Sequence, residues 1–208
     1  MSGLDAAGIT RLLGALDEQL AERGTTADVY LVGGAAIALG FDATRTTRDL
    51  DAVFVPTSEV RAAAAAVAVA YGLTEDWLND AVKGFVPPGT DAHQLVVFES
   101  PHLRVAVAGA EHLLAMKVAA ARVEQDRDDL TLLVQALGIT SADQALAVAR
   151  ACLGPGYPIP PRAMYLLEEI FQATETTASP PQTAPRREPA PYDPPRPPSR
   201  GFDGPSLS

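Results

Sequence analysis

Val29-Tyr30-Leu31-Val32-Gly33-Gly34-Ala35-Ala36 and, after a short gap, Arg45-Thr46-Thr47-Arg48-Asp49-Leu50-Asp51 are the two stretches that set the fold. The first reads as a short buried strand running into a glycine turn, and the second as a polar loop entering another strand, residues 50–55. Between them Ala35-Ala36-Ile37-Ala38-Leu39 favours a short helix, residues 34–39, whose N-terminus sits at the turn. Free N–H groups and the helix dipole favour an anion at that place. A Gly-Gly turn lets backbone approach a phosphate closely because no Cβ intervenes. Asp49 and Asp51, at alternate strand positions, project from one face and can reach the same divalent cation.

Outward from this core, residues 5–22 carry Leu12, Leu16 and Leu20 at four-residue intervals with Leu13 widening the stripe, an amphipathic helix stopped by Gly24. An alanine-rich helix is expected over residues 58–71, ending at Gly72, and strands over 94–98 and 103–107 joined by a turn at Ser100-Pro101. The rest reads as helices over 109–123, 126–137, 141–153 and 161–172. The order predicts an α+β protein, a small mixed β-sheet backed by helices with a helical C-terminal half. Residues 1–178 form one domain in this reading, with a sheet-containing core at 1–108 and a helical part at 109–178.

Composition shifts near Ala178. Ten of the 18 prolines fall between Pro180 and Pro205 among Ser, Arg, Gly and Asp, with almost no aliphatic residues. Residues 179–208 are therefore expected to be a disordered, proline-rich tail, a spacer or a docking segment, because they cannot bury enough apolar surface to offset ordering entropy. No apolar run reaches the ~20 residues of a membrane helix, and the N-terminus lacks a basic region followed by an apolar core, so a soluble cytoplasmic protein is expected. A lone cysteine, Cys152, excludes an internal disulfide framework and a multi-cysteine zinc site, and reads as a buried small hydrophobe. His93, His102 and His112 lack metal-pair spacing, and His102 is expected exposed and inert. A net charge of −10 counts against broad non-specific nucleic-acid binding, though not against a local basic groove.

Metal-assisted nucleotidyl transfer needs carboxylates for Mg²⁺, donors for the phosphates, and a means of positioning the attacking hydroxyl. Asp49 and Asp51 are candidate metal ligands, Gly33 and Gly34 the candidate phosphate turn, and Arg45 and Thr47 candidates to contact phosphate or brace the loop. Lys117 is the lone polar residue of Leu113-Leu114-Ala115-Met116-Lys117-Val118-Ala119-Ala120-Ala121. An ammonium there must snorkel to water or find an anion. Asp126 and Asp129 stand one helical turn apart on the face of Leu130 and Leu133, where the helix dipole alone would favour acids. Trp77 is expected to anchor an irregular segment in the core.

The glycine pair followed by Asp-x-Asp resembles the signature of the polymerase-β-like nucleotidyltransferase superfamily. With Arg45-x-Thr47-x-Asp49-Leu50-Asp51, Leu113-Leu114-x-Met116-Lys117 and Asp126-x-x-Asp129-Leu130, residues 5–140 are similar to the AbiEii-type nucleotidyltransferases, toxins of bacterial abortive-infection and toxin–antitoxin pairs. That resemblance implies a minimal nucleotidyltransferase fold, nucleotide transfer from an NTP to an acceptor such as a transfer-RNA 3′ end, and a cognate antitoxin. It implies that Asp49 and Asp51 hold Mg²⁺, that Lys117 engages the triphosphate, and that Asp126 or Asp129 acts as base or polar organiser. The superfamily's third carboxylate, on a later strand, is missing from 103–107, and Glu99 at the end of the preceding strand is the nearest substitute. The other readings are a small-molecule nucleotidyltransferase of the aminoglycoside-modifying kind and a module that binds nucleotide or a partner without turnover.

Overall fold

In the computed structural model, which describes residues 3–178, the chain enters helix α1 (Ala6–Glu22) through Asp5, whose side chain accepts the Gly8 N–H at 2.7 Å. Ile9, Leu12, Leu13, Leu16 and Leu20 face inward, as the four-residue repeat predicts. Strand β1 (Ala27–Leu31) leads to helix α2 (Gly33–Gly40), and Gly33 makes the turn between them at φ +62°, a conformation that penalises any side chain. Strand β2 (Leu50–Val55) runs back antiparallel to β1, pairing Leu31 with Ala52 and Tyr30 with Val53. The proline-rich segment, expected to be disordered, lies outside the described residues.

Helix α3 (Thr57–Tyr71) ends on Gly72 as expected. Two features of the following segment have no periodic signal: a two-residue strand β3 (Leu78–Asn79) parallel to β2, and a single 3-10 turn (Ala81–Gly84). Trp77 is their anchor. Its ring is 1% exposed and its Nε1–H donates to the Ala64 carbonyl of α3 at 2.9 Å, so packing and polar satisfaction coincide. Strands β4 (Leu95–Glu99) and β5 (Leu103–Val107) form the expected hairpin, with a bulge between Val96 and Phe98. β5 pairs in parallel with β1, giving the sheet order β3-β2-β1-β5-β4, so the protein is α+β with a mixed sheet.

The sheet has two unlike faces. Ala27, Val29 and Leu31 of β1, with Leu50, Ala52 and Phe54 of β2, are buried in the core shared with α1 and α3. Asp28 and Tyr30, with Asp51 and Val53, take the opposite and more open face, because side chains alternate along a strand. The C-terminal half comprises α4 (Ala110–Ala120), α5 (Val123–Ala136), α6 (Ala142–Leu153) and α7 (Pro161–Ala178). One continuous core joins both halves, from Leu31 and Val107 through Leu113 and Leu114 to Leu133 and Leu167.

Three local expectations are corrected. The helix expected over 109–123 stops at Ala120: Ala121 is left-handed at φ 44°, and α5 starts at Val123 rather than Asp126. Asp126 stabilises the break, accepting the Arg122 N–H at 2.9 Å and reaching across it to the Lys117 ammonium at 2.7 Å. Cys152 is half-buried rather than buried, and burial, then the charges of Glu111 and Asp91, push its thiol pKa up. His102 is partly buried rather than exposed, with Nδ1 3.3 Å from the Thr25 carbonyl oxygen.

Trp77→Ala is expected to cost about 3–5 kcal/mol, since it empties a buried ring site and removes the indole hydrogen bond to the Ala64 carbonyl. Trp77→Phe should cost less than half of that. Urea titrations followed by far-ultraviolet circular dichroism would measure both, and equal losses would remove the ring-packing contribution from the account.

Candidate functional site

Asp51 stands at the open end of β2, where β1 turns into α2. A Cβ added at Gly33 would lie 3.3 Å from Asp51 Oδ2, and one at Gly34 would lie 2.9 Å from Thr47 Oγ1. Both glycines are thus needed for the turn to lie against the polar loop. Thr47 braces that loop: its Oγ1 donates to the Asp49 carbonyl at 2.9 Å, and its backbone exchanges hydrogen bonds with Leu4 at 2.6 and 2.9 Å.

Asp49 and Asp51 lie close enough to repel. The Asp49 carboxyl is raised above its ordinary pKa by burial first, then by the charges of Asp51 and Asp76. Among the described residues no group of three or more His, Cys, Asp or Glu side chains is placed to hold a metal ion. A carboxylate pair nevertheless suits Mg²⁺, which commonly takes one or two protein carboxylates and completes its shell with water and phosphate oxygens.

A cavity of about 520 Å³ opens beside Asp51. Val32, Gly33 and Gly34 form one wall, and Lys117, Arg122 and Arg162 bring three cationic side chains from the helical half. Val82, Phe85, Leu113 and Met116 supply apolar surface, and Tyr157 adds an aromatic ring. Arg122, Tyr157 and Arg162 escaped the sequence reading. Nothing in their local pattern distinguishes them from solvated surface residues, and only packing of α7 against α5 and α6 brings Arg162 here; its Nη2 donates to the Ala120 carbonyl at 3.1 Å.

Lys117 finds anions rather than water. Its Nζ lies 2.7 Å from Asp126 Oδ1 and 2.8 Å from Asp129 Oδ2, and all three residues are buried. Asp126 Oδ2 accepts the Arg122 N–H, so both of its oxygens are engaged. Asp129 Oδ1 is bound by Arg45 from the loop before β2. Arg45 therefore ties the polar loop to α5, and Lys117 joins α4 to the same carboxylates while still lining the cavity. The structure thus brings Gly33, Gly34, Asp51 and Lys117 to one cavity, sets Asp49 beside it, and places Arg45, Asp126 and Asp129 behind Lys117.

Glu99 is not part of this arrangement. It pairs with Arg104, which pairs with Asp28 at the start of β1, so it stands at the end of the sheet opposite Gly33 and Asp51. Comparison with known protein families, with curated proteins and with solved structures finds no match for the chain.

Lys117→Met should destabilise the protein by roughly 3–5 kcal/mol, because it leaves two carboxylates buried without their shared cation. Adding Asp126→Asn to that variant should restore part of the loss. Thermal melts of the two variants decide it, and a melting temperature unchanged by Lys117→Met would show that the cluster contributes nothing to stability.

Asp49→Asn should raise the urea midpoint at neutral pH. A carboxyl whose folded pKa is raised binds its proton more tightly in the native state, so wild-type stability falls as pH rises through that window. The advantage of the variant should accordingly be complete above the raised pKa and vanish as pH drops to about 4. Urea midpoints from pH 3.5 to 8 would reveal this convergence, and a pH-independent difference would contradict the assigned repulsion.

Proposed function

We propose that the protein is a nucleotidyltransferase that moves a nucleoside monophosphate from an NTP to an acceptor hydroxyl and releases pyrophosphate. The observation that carries this reading is the lining of one cavity, where the glycine turn and Asp51, with Asp49 close enough to repel it, meet Lys117, Arg122 and Arg162. An NTP bound with a divalent cation presents both counterparts, a metal for the carboxylates and bare phosphate oxygens for the cations.

In this mechanism the backbone of Gly33 and Gly34, at the N-terminus of α2, holds phosphate oxygens by its N–H groups. Asp49 and Asp51 hold Mg²⁺, which when bound supplies neutralising positive charge to the triphosphate. Lys117 is aimed by Asp126 and Asp129, so its ammonium meets phosphate without first losing rotamer freedom. Arg122 and Arg162, at the more exposed rim, draw in and retain the departing pyrophosphate. The acceptor oxygen forms a bond to the α-phosphorus, the bond from that phosphorus to the bridging oxygen breaks, and the hydroxyl proton is released.

The resemblance to AbiEii-type nucleotidyltransferases extends the reading to an RNA acceptor, such as a transfer-RNA 3′ end, and to action as a toxin held in check by a paired antitoxin. Incubation of the purified chain with each α-labelled NTP, Mg²⁺ and total RNA tests it, with Asp51→Asn alongside. Label in a discrete RNA band with wild type, lowered by 100-fold or more in the variant (about 2.7 kcal/mol of barrier), is the expected result. Label confined to a small hydroxylated molecule would keep the reaction and replace the acceptor; no transfer to either would overturn the reading.

A further inference from the structure

The cavity beside Asp51 holds more than charged groups. Its lining also carries Val82, Met116 and two aromatic rings, Phe85 and Tyr157. Phe85 is 71% exposed and Tyr157 41% exposed. Four aromatic side chains among the described residues are exposed to this degree, and two of the four line this one cavity. A single exposed ring is ordinary on a protein surface, but two rings in one concave site with a few charged groups have the composition of a ligand pocket.

Both rings are carried on backbone that is already fixed. The 3-10 turn before Phe85 is anchored at its start by Asp80, whose two oxygens accept from Arg61 Nη2 at 2.7 and 2.9 Å, and Val82 packs against the core. The Phe85 N–H closes the turn on the Val82 carbonyl at 2.8 Å, and Pro87 beyond it is buried. Tyr157 lies in Gly154-Pro155-Gly156-Tyr157-Pro158, the link between α6 and α7. Its N–H donates to the Gly154 carbonyl at 3.2 Å, and the prolines around it restrict the chain further. A ring on such backbone has little freedom left to lose when a flat partner settles on it.

We propose that Phe85 and Tyr157 stack on the nucleobase of the donor nucleotide, and that the site thereby selects purine over pyrimidine nucleotides. A nucleoside triphosphate joins a charged chain to a flat ring with a π-face, and this cavity offers cationic groups, a carboxylate and aromatic surface together. Its volume of about 520 Å³ lies within the roughly 300–1,000 Å³ of ligand pockets. Recognition of base edges has little to work with here. The lining contains no Asn, Gln, Ser or Thr, and the Tyr157 hydroxyl is its single uncharged side-chain N–H or O–H group. Discrimination then follows the area that stacks, and the larger purine ring gains more from each contact. The assignment to a donor nucleotide rests on the transferase reading above; stacking of a purine nucleotide in this cavity does not.

The test is isothermal titration calorimetry of the full chain with Mg²⁺ and no RNA. The probes are the α,β-methylene analogues of ATP, GTP, CTP and UTP, whose α–β bridge cannot be cleaved, and inorganic tripolyphosphate, which has no base. Purine analogues should bind about tenfold more tightly than pyrimidine analogues, and more tightly than tripolyphosphate. Phe85→Ala and Tyr157→Ala should each weaken the purine analogues about tenfold while leaving tripolyphosphate within about twofold. Phe85→Trp should keep wild-type affinity, whereas Phe85→Leu, which retains apolar bulk without a π-face, should not. Both rings are exposed, so far-ultraviolet circular dichroism should show every variant folded as wild type. Equal affinity for all four analogues, an equal loss of tripolyphosphate and purine analogue in the alanine variants, or full affinity in Phe85→Leu would overturn the proposal. Purine-selective binding in a protein that transfers no nucleotide would retain this site and discard the transferase reading, whereas transfer with all four analogues bound alike would do the reverse.

Discussion

The contact on which the rest of the arrangement depends is the clasp of Lys117 by Asp126 and Asp129. A buried ammonium and two buried carboxylates are tolerated only when paired and hydrogen-bonded, and here Arg45 and the Arg122 N–H bind the carboxylate oxygens that Lys117 does not. The clasp joins three parts of the chain that no continuous element connects: the loop before β2, α4, and the first turns of α5. It therefore holds the helical half in register with the glycine turn. It also explains the break at Ala121, because a straight helix through 123 would carry Asp126 away from Lys117.

Charge is distributed to match. Asp51, which Asp49 repels, lines the larger cavity together with cationic groups from α4, the α4–α5 break and α7. A smaller cavity on the same sheet face is lined by no lysine or arginine, and its polar groups come from Asp91, His112, Thr90, Gln94 and Tyr30. Tyr30 borders this region with its hydroxyl on Asp91; burial first, and then the hydrogen bond and charge of Asp91, push its pKa above the ordinary range, so it remains a neutral donor.

Much of the fold was legible because its elements are written in strong local patterns. The leucine stripe of α1, the alternation in β2, the apolar run of β5, and the Gly33-Gly34 turn each depend on nearby residues, and each stands within a few positions of where the local pattern puts it. Strand β3 and the 3-10 turn were not legible, since two residues paired to an edge carry no period and are held by Trp77 from a distance. The pairing of Asp49 with Asp51 was readable from spacing alone. The pairing of Lys117 with Asp126 and Asp129 was foreseen only as a need for water or some anion, because the residues meet across a helix break that no propensity signals.

By itself, then, the sequence determined most of the strands and helices, that a glycine turn and two alternating carboxylates would share one end of the sheet, and that the Lys117 ammonium needed either water or an anion. Those outcomes follow from local sterics, periodicity and the cost of burying a lone charge. The tertiary structure decided that Arg45 braces α5, that Arg122 and Arg162 border the cavity, and that Glu99 stands at the far end of the sheet. Each of these depends on how separate elements pack, and the free energy of such long-range contacts is not encoded in the spacing of neighbours along the chain.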